Sequence, residues 1–442
     1  MYTAEIGKLI FSRWKERTGR EVTVKTYFNE EFFPLFFDSE RYLMWVNNSR
    51  FDQAYKQKKK RPLTTEVRQA ALSAFHEDVE VLEGREGHLF MGGFSRDLSS
   101  ATASQISQID IGFHTDDAYY SWLGMAAGIG VKGGVSLLLK TPAVLDLIVA
   151  GWSYYRKFLN DYDTLAPHQI DSWNAWWLIH NASRKVEKDR LAGFPPPNAM
   201  NEKDGVSAFV TPSWISVLFA LIRVAEKPDI MTYIYSFGQT NKSIGFVPIK
   251  LGEIQKLSTL YEKLFGAEDF TRERKSLEAL YDTELSFFQA CRMGAIGLRA
   301  VEPKDLRKYM TTRDQSPKSI KFSENTIINF RIYQTWIIAM LKNEELLLTA
   351  QELAEVLSKV GPSSRGKKVL SQAVAKVLEA GGKKQFITAL TDLITEEEFK
   401  QSPAAEQKGV FEKTVHELMR MPATNVPLFI TLVRFKHAYN KL

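Results

Sequence analysis

Two glycine-rich stretches have the spacing of nucleotide-binding loops, and both lack the neighbours that such a loop requires. Gly128-Ile129-Gly130-Val131-Lys132-Gly133 matches the glycine pattern of dinucleotide sites and kinase loops. That chemistry needs a strand before the loop and a helix N-terminus aimed at phosphate after it, with an acidic residue about twenty positions on or a kinase catalytic set. The residues before it read as helix, and the chain has neither a His-Arg-Asp catalytic loop nor an Asp-Phe-Gly. The simpler expectation is a flexible corner between two helices, in which Lys132 can meet a phosphate. Gly361-Pro362-Ser363-Ser364-Arg365-Gly366-Lys367 has the spacing of a phosphate-binding loop. Lys368 stands where a serine or threonine would hold magnesium, and a helix precedes the loop in place of a strand. A basic interhelical turn touching nucleic-acid backbone is what remains of that motif.

Metal and nucleophile chemistry fares no better. His76, His88, His114, His168, His180, His416 and His437 are scattered, with no His-x-x-x-His pair. His114 with Asp116 and Asp117 is the local cluster that could draw a metal, but carboxylates at a helix start complement the helix dipole and explain the pair more simply. No Gly-x-Ser-x-Gly elbow exists and Cys291 has no neighbouring base, so covalent catalysis has no candidate. No catalytic residue, metal or cofactor is expected, and the chain reads as a non-enzyme.

A chain of 442 residues is too long for one ordinary core, so two or three domains are expected. A hydrophobic content of 44% with 25% charged residues is that of a folded protein. The net charge of +6 favours a polyanionic partner, usually nucleic acid. With Cys291 as its single cysteine the chain can build no internal disulfide framework, which suits a reducing cytosol. The N-terminus, MYTAEIGKLIFSRWKERTGR, reads as an amphipathic helix without the apolar centre of a signal peptide. Residues 137–152 are apolar but short, and Lys140 and Asp146 interrupt them, so a buried helix is expected there and no membrane span. The expected location is cytoplasmic.

The elements that must position any site follow from periodicity. After the N-terminal helix, Tyr27, Phe28, Phe32, Phe33, Phe36 and Phe37 read as core. A cationic run follows, Lys56-Gln57-Lys58-Lys59-Lys60-Arg61-Pro62. Strand character is expected over 79–111, a helix around 116–122, and an aromatic-dense stretch over 154–177 whose Trp173, Trp176 and Trp177 suit a core or a subunit interface. Residues 191–206 have the composition of a mobile connector. A helix is expected over 213–223, then strands over 230–237 and 244–249 joined by a polar, cationic tip, then helices over 254–265 and 272–293. From Ser323 onward, apolar residues recur at three- and four-residue spacing: Ile327, Ile328, Ile332, Trp336, Ile337 and Met340, then Val369, Leu370, Ala373, Val374, Val377 and Leu378. Thr349 with Glu352 and Thr395 with Glu398 have capping-box spacing, and Gly361-Pro362 and Gly381-Gly382 stop helices. The expected fold class is α+β: a mixed α/β body over 1–305 with a mainly antiparallel β portion, a linker over 306–322, and an all-α helical bundle over 323–442.

Single cations also stand on small polar or glycine-rich loops: Arg96 after Gly92-Gly93, Lys132 before Gly133-Gly134, and Lys242 after Gly238-Gln239-Thr240-Asn241. Asn, Gln and Lys on a tight turn can reach base edges, whereas runs of lysine and arginine hold phosphates without reading sequence. Gln239, Asn241 and Lys242 are therefore the candidates for base readout. Lys56, Lys58, Lys59, Lys60, Arg61, Arg96, Lys132, Arg365, Lys367, Lys368, Lys383 and Lys384 are the candidates for phosphate contact.

This order of parts resembles the large subunit of a type I CRISPR interference complex (Cascade), of the type I-B kind. The resemblance lies in the α/β body joined to a helical bundle, with Tyr235-Ser236-Phe237-Gly238-Gln239-Thr240-Asn241-Lys242-Ser243-Ile244-Gly245-Phe246 as a central hairpin. It spans the whole chain as architecture and rests on no short signature. It implies a non-catalytic subunit that contacts the 5′ handle of the guide RNA, recognises the protospacer-adjacent motif in target DNA and supports R-loop formation. The implied partners are guide RNA, target DNA, the backbone and handle-binding Cascade subunits, and a helicase–nuclease or, in systems lacking it, transposition proteins; no membrane is implied. The bundle would line the target-strand groove, and Met310 is where an internal start would release it. Two other classes stand beside this one: a metal-dependent nuclease or nucleotidyl-transfer enzyme using Asp116, Asp117 and a distant carboxylate, and a structural protein with an obligate interface over 152–177.

Overall fold

A computed structural model of the chain describes residues 2–46, 49–57, 62–80, 114–182, 189–236, 242–266, 285–311, 316–360 and 367–441. The fold is α+β, with small antiparallel sheets among many helices. The chain divides into two compact units: Met1–Leu251 with Phe287–Ala295, and Gly252–Ser286 with Ile296–Leu442.

The unit built on Met1–Leu251 opens with α1 (Tyr2–Thr18), α2 (Val24–Tyr27), a π-helical turn (Phe28–Phe32), α3 (Phe33–Phe36), α4 (Arg50–Lys56), α5 (Thr65–Glu80) and α6 (Thr115–Ala126). The wider π turn accommodates an unusual demand, because the adjacent pair Phe32-Phe33 is buried together, as is Phe36-Phe37. Phe32 stacks on Phe36 at 4.2 Å between ring centroids, and Phe36 meets the edge of Trp152 at 5.0 Å. Helices α1 and α6 cross with their backbones nearly touching. A Cβ on Gly7 would overlap the carbonyl of Tyr120, and one on Gly124 would overlap that of Thr3. Thr3 Oγ1 and Ser121 Oγ share a hydrogen bond inside this contact.

A four-stranded antiparallel sheet, ordered β1-β2-β5-β6, follows from β1 (Ile129–Val131), β2 (Val135–Leu139), β5 (Ile230–Ser236) and β6 (Lys242–Ile249). Between these strands the chain forms α7 (Pro142–Asp161), α8 (Ile170–Asn181), the separate hairpin β3 (Met200–Lys203) with β4 (Val206–Phe209), and α9 (Trp214–Val224). The tryptophans expected to be core or interface are core: Trp173 and Trp177 are fully buried. Each indole N–H finds an acceptor, Trp173 at Gly151 O (3.0 Å), Trp177 at Leu147 O (2.9 Å) and Trp176 at Val210 O (2.6 Å). Arg156 donates to the carbonyls of Leu35, Arg41 and Phe36, which ties α7 to the end of α3.

Several expectations need correction. The glycine-rich stretch is no corner between helices: α6 ends at Ala126 and a β-hairpin follows. Leu137–Leu139 belong to β2, so the apolar helix begins only at Pro142; a short strand buried on both faces has the same apolar run as a buried helix. Residues 191–206 include a hairpin strand, with Asp204 (φ 52°) and Gly205 (φ 76°) supplying the left-handed pair that a tight turn needs. Val79 and Glu80 close α5 as helix, and 81–113 lies outside the described residues.

α10 (Leu251–Phe265) leads into the other unit, while α11 (Phe287–Arg292) is the described helical part of the segment 272–293. The other unit then holds α12 (Glu324–Leu341), α13 (Glu345–Lys359), α14 (Lys367–Leu378), α15 (Lys383–Thr395), α16 (Glu397–Lys400), α17 (Lys408–Arg420) and α18 (Val426–Tyr439). Trp336 Nε1 donates to Leu298 O at 3.0 Å, and Arg434 donates to the carbonyls of Tyr309 and Lys318, so the segment before α12 is fastened to the bundle. The capping box lies at Ser323 and Thr326. Thr349 instead sits buried inside α13 and donates to Glu345 O, and Thr395 ends α15 with its hydroxyl donating to Thr391 O; the Thr-x-x-Glu spacing also occurs within helices. Among the described residues no helix is long and apolar enough to cross a membrane.

Replacing Gly7 by Ala forces α1 off α6. We expect a loss of about 1–3 kcal/mol in unfolding free energy, read from the urea midpoint.

Candidate nucleic-acid interface

Strand register places the Lys132 turn and Lys242 at one end of the sheet. Val131 pairs with Val135 across the β1–β2 turn, Val135 pairs with Ser236, and Ser236 pairs with Lys242. The Lys132 turn therefore leaves the same end of the sheet at which β5 ends at Ser236 and β6 begins at Lys242. Gln239 and Asn241 lie outside the described residues, and Lys242 opens β6.

The Lys132 turn is held open. Gly133 (φ 114°) and Gly134 (φ 74°) adopt backbone angles closed to most side chains, and the Lys132 N–H donates to Pro212 O at 2.7 Å. The Lys132 side chain is exposed and has no carboxylate partner among the described residues. Beside it lies a cleft of 460 Å³ lined by Lys132, Trp176, Asn198, Thr211, Ser213 and Ser216, with Val210 and Pro212. Ser213 is the N-cap of α9, accepting from the Ser216 N–H at 3.2 Å, and Thr211 Oγ1 lies 3.1 Å from Ser172 Oγ.

Behind the turn, α8 presses on β1. A Cβ on Gly128 would overlap Asp171 Oδ1 and come within 2.9 Å of Tyr235 Oη, while one on Gly130 would sit 3.1 Å from the Asp171 backbone. Asn174 Nδ2 donates to Ala126 O and Gly128 O, both at 2.8 Å. Ser136 Oγ donates to Asp171 Oδ1 at 2.9 Å. The glycine pattern that resembles a nucleotide loop thus has a packing origin: Gly128 and Gly130 admit α8, and Gly133 and Gly134 make the turn. Burial pushes the Asp171 carboxyl up to about 7, with the Ser136 hydrogen bond opposing it, and burial raises the Tyr235 hydroxyl as well.

The remaining nominated cations divide by environment. Lys56 pairs with Asp52 at 2.8 Å and lies over the Trp45 ring, so part of its charge is satisfied internally. Lys383 Nζ donates to Met421 O at 2.9 Å and Met419 O at 3.3 Å, capping the end of α17. Lys384 is exposed and without an ion pair among the described residues. Lys367 and Lys368 open α14, as Lys383 and Lys384 open α15. Cations in a first turn oppose the helix dipole, at a cost of about 0.3–1 kcal/mol each where exposed, and they concentrate positive potential there. Lys58, Lys59, Lys60, Arg61, Arg96 and Arg365 lie outside the described residues. Asp117 of the alternative metal set pairs with Lys8 at 2.9 Å, and among the described residues no group of three metal-ligating side chains converges. Trp176, Asn198 and the serines of α9 were not nominated from the sequence; the Ser213-x-x-Ser216 capping spacing was the available signal for the last two.

No protein-family model, curated protein or solved structure matches the chain.

Asp171 generates a signed pH dependence. Unfolded, its carboxyl titrates near 3.8; folded, it keeps its proton to about 7. The folded state therefore binds more protons between these values, and its contribution is full below the lower value and lost as pH rises through the upper one. The total loss is on the order of 4 kcal/mol. Urea midpoints at about pH 5 and about pH 8 should fall with pH in the parent chain and fall much less in Asp171→Asn, which keeps the acceptor without the charge.

Proposed function

We propose that the chain is a non-catalytic nucleic-acid-holding subunit of an RNA-guided DNA-targeting complex, corresponding to the large subunit of a type I-B Cascade. The observation that carries the proposal is the sheet end formed by Val131, Val135, Ser236 and Lys242, where the exposed Lys132 has no ion pair among the described residues. Lys132 supplies a phosphate contact that fixes register, and Gln239 and Asn241 supply base-edge contacts in the target duplex. The run Lys58-Lys59-Lys60-Arg61 and the lysines at the starts of α14 and α15 add charge that follows backbone without reading sequence. Guide RNA, target DNA and sister Cascade subunits are the partners in this assignment, with a helicase–nuclease or transposition proteins recruited downstream.

The assignment is tested on the assembly purified from its host. Guide RNA should co-purify, and an assembly free of RNA overturns the proposal. Gln239→Ala and Asn241→Ala should each lower discrimination between motif-bearing and motif-scrambled duplexes by about 1–3 kcal/mol. Replacing Lys58, Lys59 and Lys60 with Gln should weaken both duplexes alike and reduce the salt slope by about 0.9 per lost contact. Unchanged discrimination in both amide variants removes them from motif readout.

A further inference from the structure

The cleft beside Lys132 has more built into it than a phosphate contact needs. Its 460 Å³ falls within the range of small-ligand sites, enough for one nucleotide and too little for a duplex. No carboxylate lines it, and its one charged side chain is Lys132, which has no ion pair among the described residues. The hydroxyls of Ser213 and Ser216 and the amide of Asn198 offer neutral donors and acceptors, and the first turn of α9 opens on the same wall. Trp176, Val210 and Pro212 give that wall an apolar surface that a bare inorganic anion would leave unused. The wall is already fastened: Trp176 Nε1 donates to Val210 O at 2.6 Å, and the Lys132 N–H donates to Pro212 O at 2.7 Å. A site fixed before its ligand arrives spends little binding energy on ordering itself.

We infer that this cleft seats a single nucleotide, with its phosphate at Lys132 and its base against the Trp176–Pro212 wall. The inference rests on the nucleic-acid assignment for the source of that nucleotide, an unstacked residue of a bound strand. A strand held by its phosphate at Lys132 passes the cleft mouth, because Lys132 lines the cleft. The same chemistry would also accept a free mononucleotide, so the two sources are separated by experiment.

The test uses the full chain, with fluorescein-labelled oligothymidylate followed by anisotropy over a series of salt concentrations and free thymidine monophosphate followed by calorimetry. Lys132→Gln should weaken the oligonucleotide about tenfold and lower its salt slope by about 0.7, the value for one contact on a single strand. Asn198→Trp, at an exposed position on the lip, should fill the cleft and weaken binding comparably while leaving the slope unchanged. Loss of affinity in both variants with that difference in slope supports the inference. Oligonucleotide binding unaffected by Asn198→Trp overturns the cleft as the seat and leaves the nucleic-acid assignment standing. Binding of the monophosphate alone, abolished by both variants, keeps the cleft and overturns the strand as its occupant. Failure of the parent chain to bind either probe overturns both.

Discussion

The contact between α8 and β1 governs what the rest of the sheet end can present. It brings Asp171 against two glycines, leaving no room for a Cβ at Gly128 and little at Gly130. Asn174 donates to the carbonyls of Ala126 and Gly128, where the chain passes from α6 into β1. Ser136 and Tyr235 are cross-strand partners on β2 and β5; Ser136 donates to the Asp171 carboxyl, and the nearby Asp171 charge adds to burial in raising the Tyr235 hydroxyl. Fixing β1 in this way fixes the turn that follows it, and with that turn the exposed cation at Lys132.

Charge is distributed in a manner that stability alone does not explain. Lysines open both α14 and α15, where the helix dipole disfavours them. Lys383 recovers part of that loss by capping α17, yet Lys384 does not. Lys56, by contrast, has part of its charge met by Asp52 and Trp45, which makes it a weaker contributor than its place in a cationic run suggests.

Much of the architecture was legible in the sequence where one face of an element is apolar and the other polar. α14 carries that contrast along its length, whereas α9 and β5 were legible as nearly continuous apolar runs, and α9 and the β5–β6 pair fell within two residues of their expected bounds. The β1–β2 hairpin did not, because every residue of Ile129–Val131 and Val135–Leu139 is buried and the alternation that marks a strand is absent. The β3–β4 hairpin failed for the opposite reason: Met200–Lys203 is mostly exposed, so only the Asp204-Gly205 turn announced it. Of the site, Lys132 stood out between its glycines. The cleft could not, since its walls come from positions 132, 176, 198 and 210–216, which only the folded chain assembles.

The placement of the indoles gives the molecule an uneven set of reporters. Of its nine tryptophans, eight belong to the unit containing the sheet, and Trp336 stands by itself in the helical one. Emission from the intact chain is thus dominated by the first unit, whereas backbone ellipticity draws on the helices of both. If the units melt at different temperatures, the two signals will trace different curves, and a Trp336→Phe chain will assign the fluorescence wholly to the sheet-bearing unit.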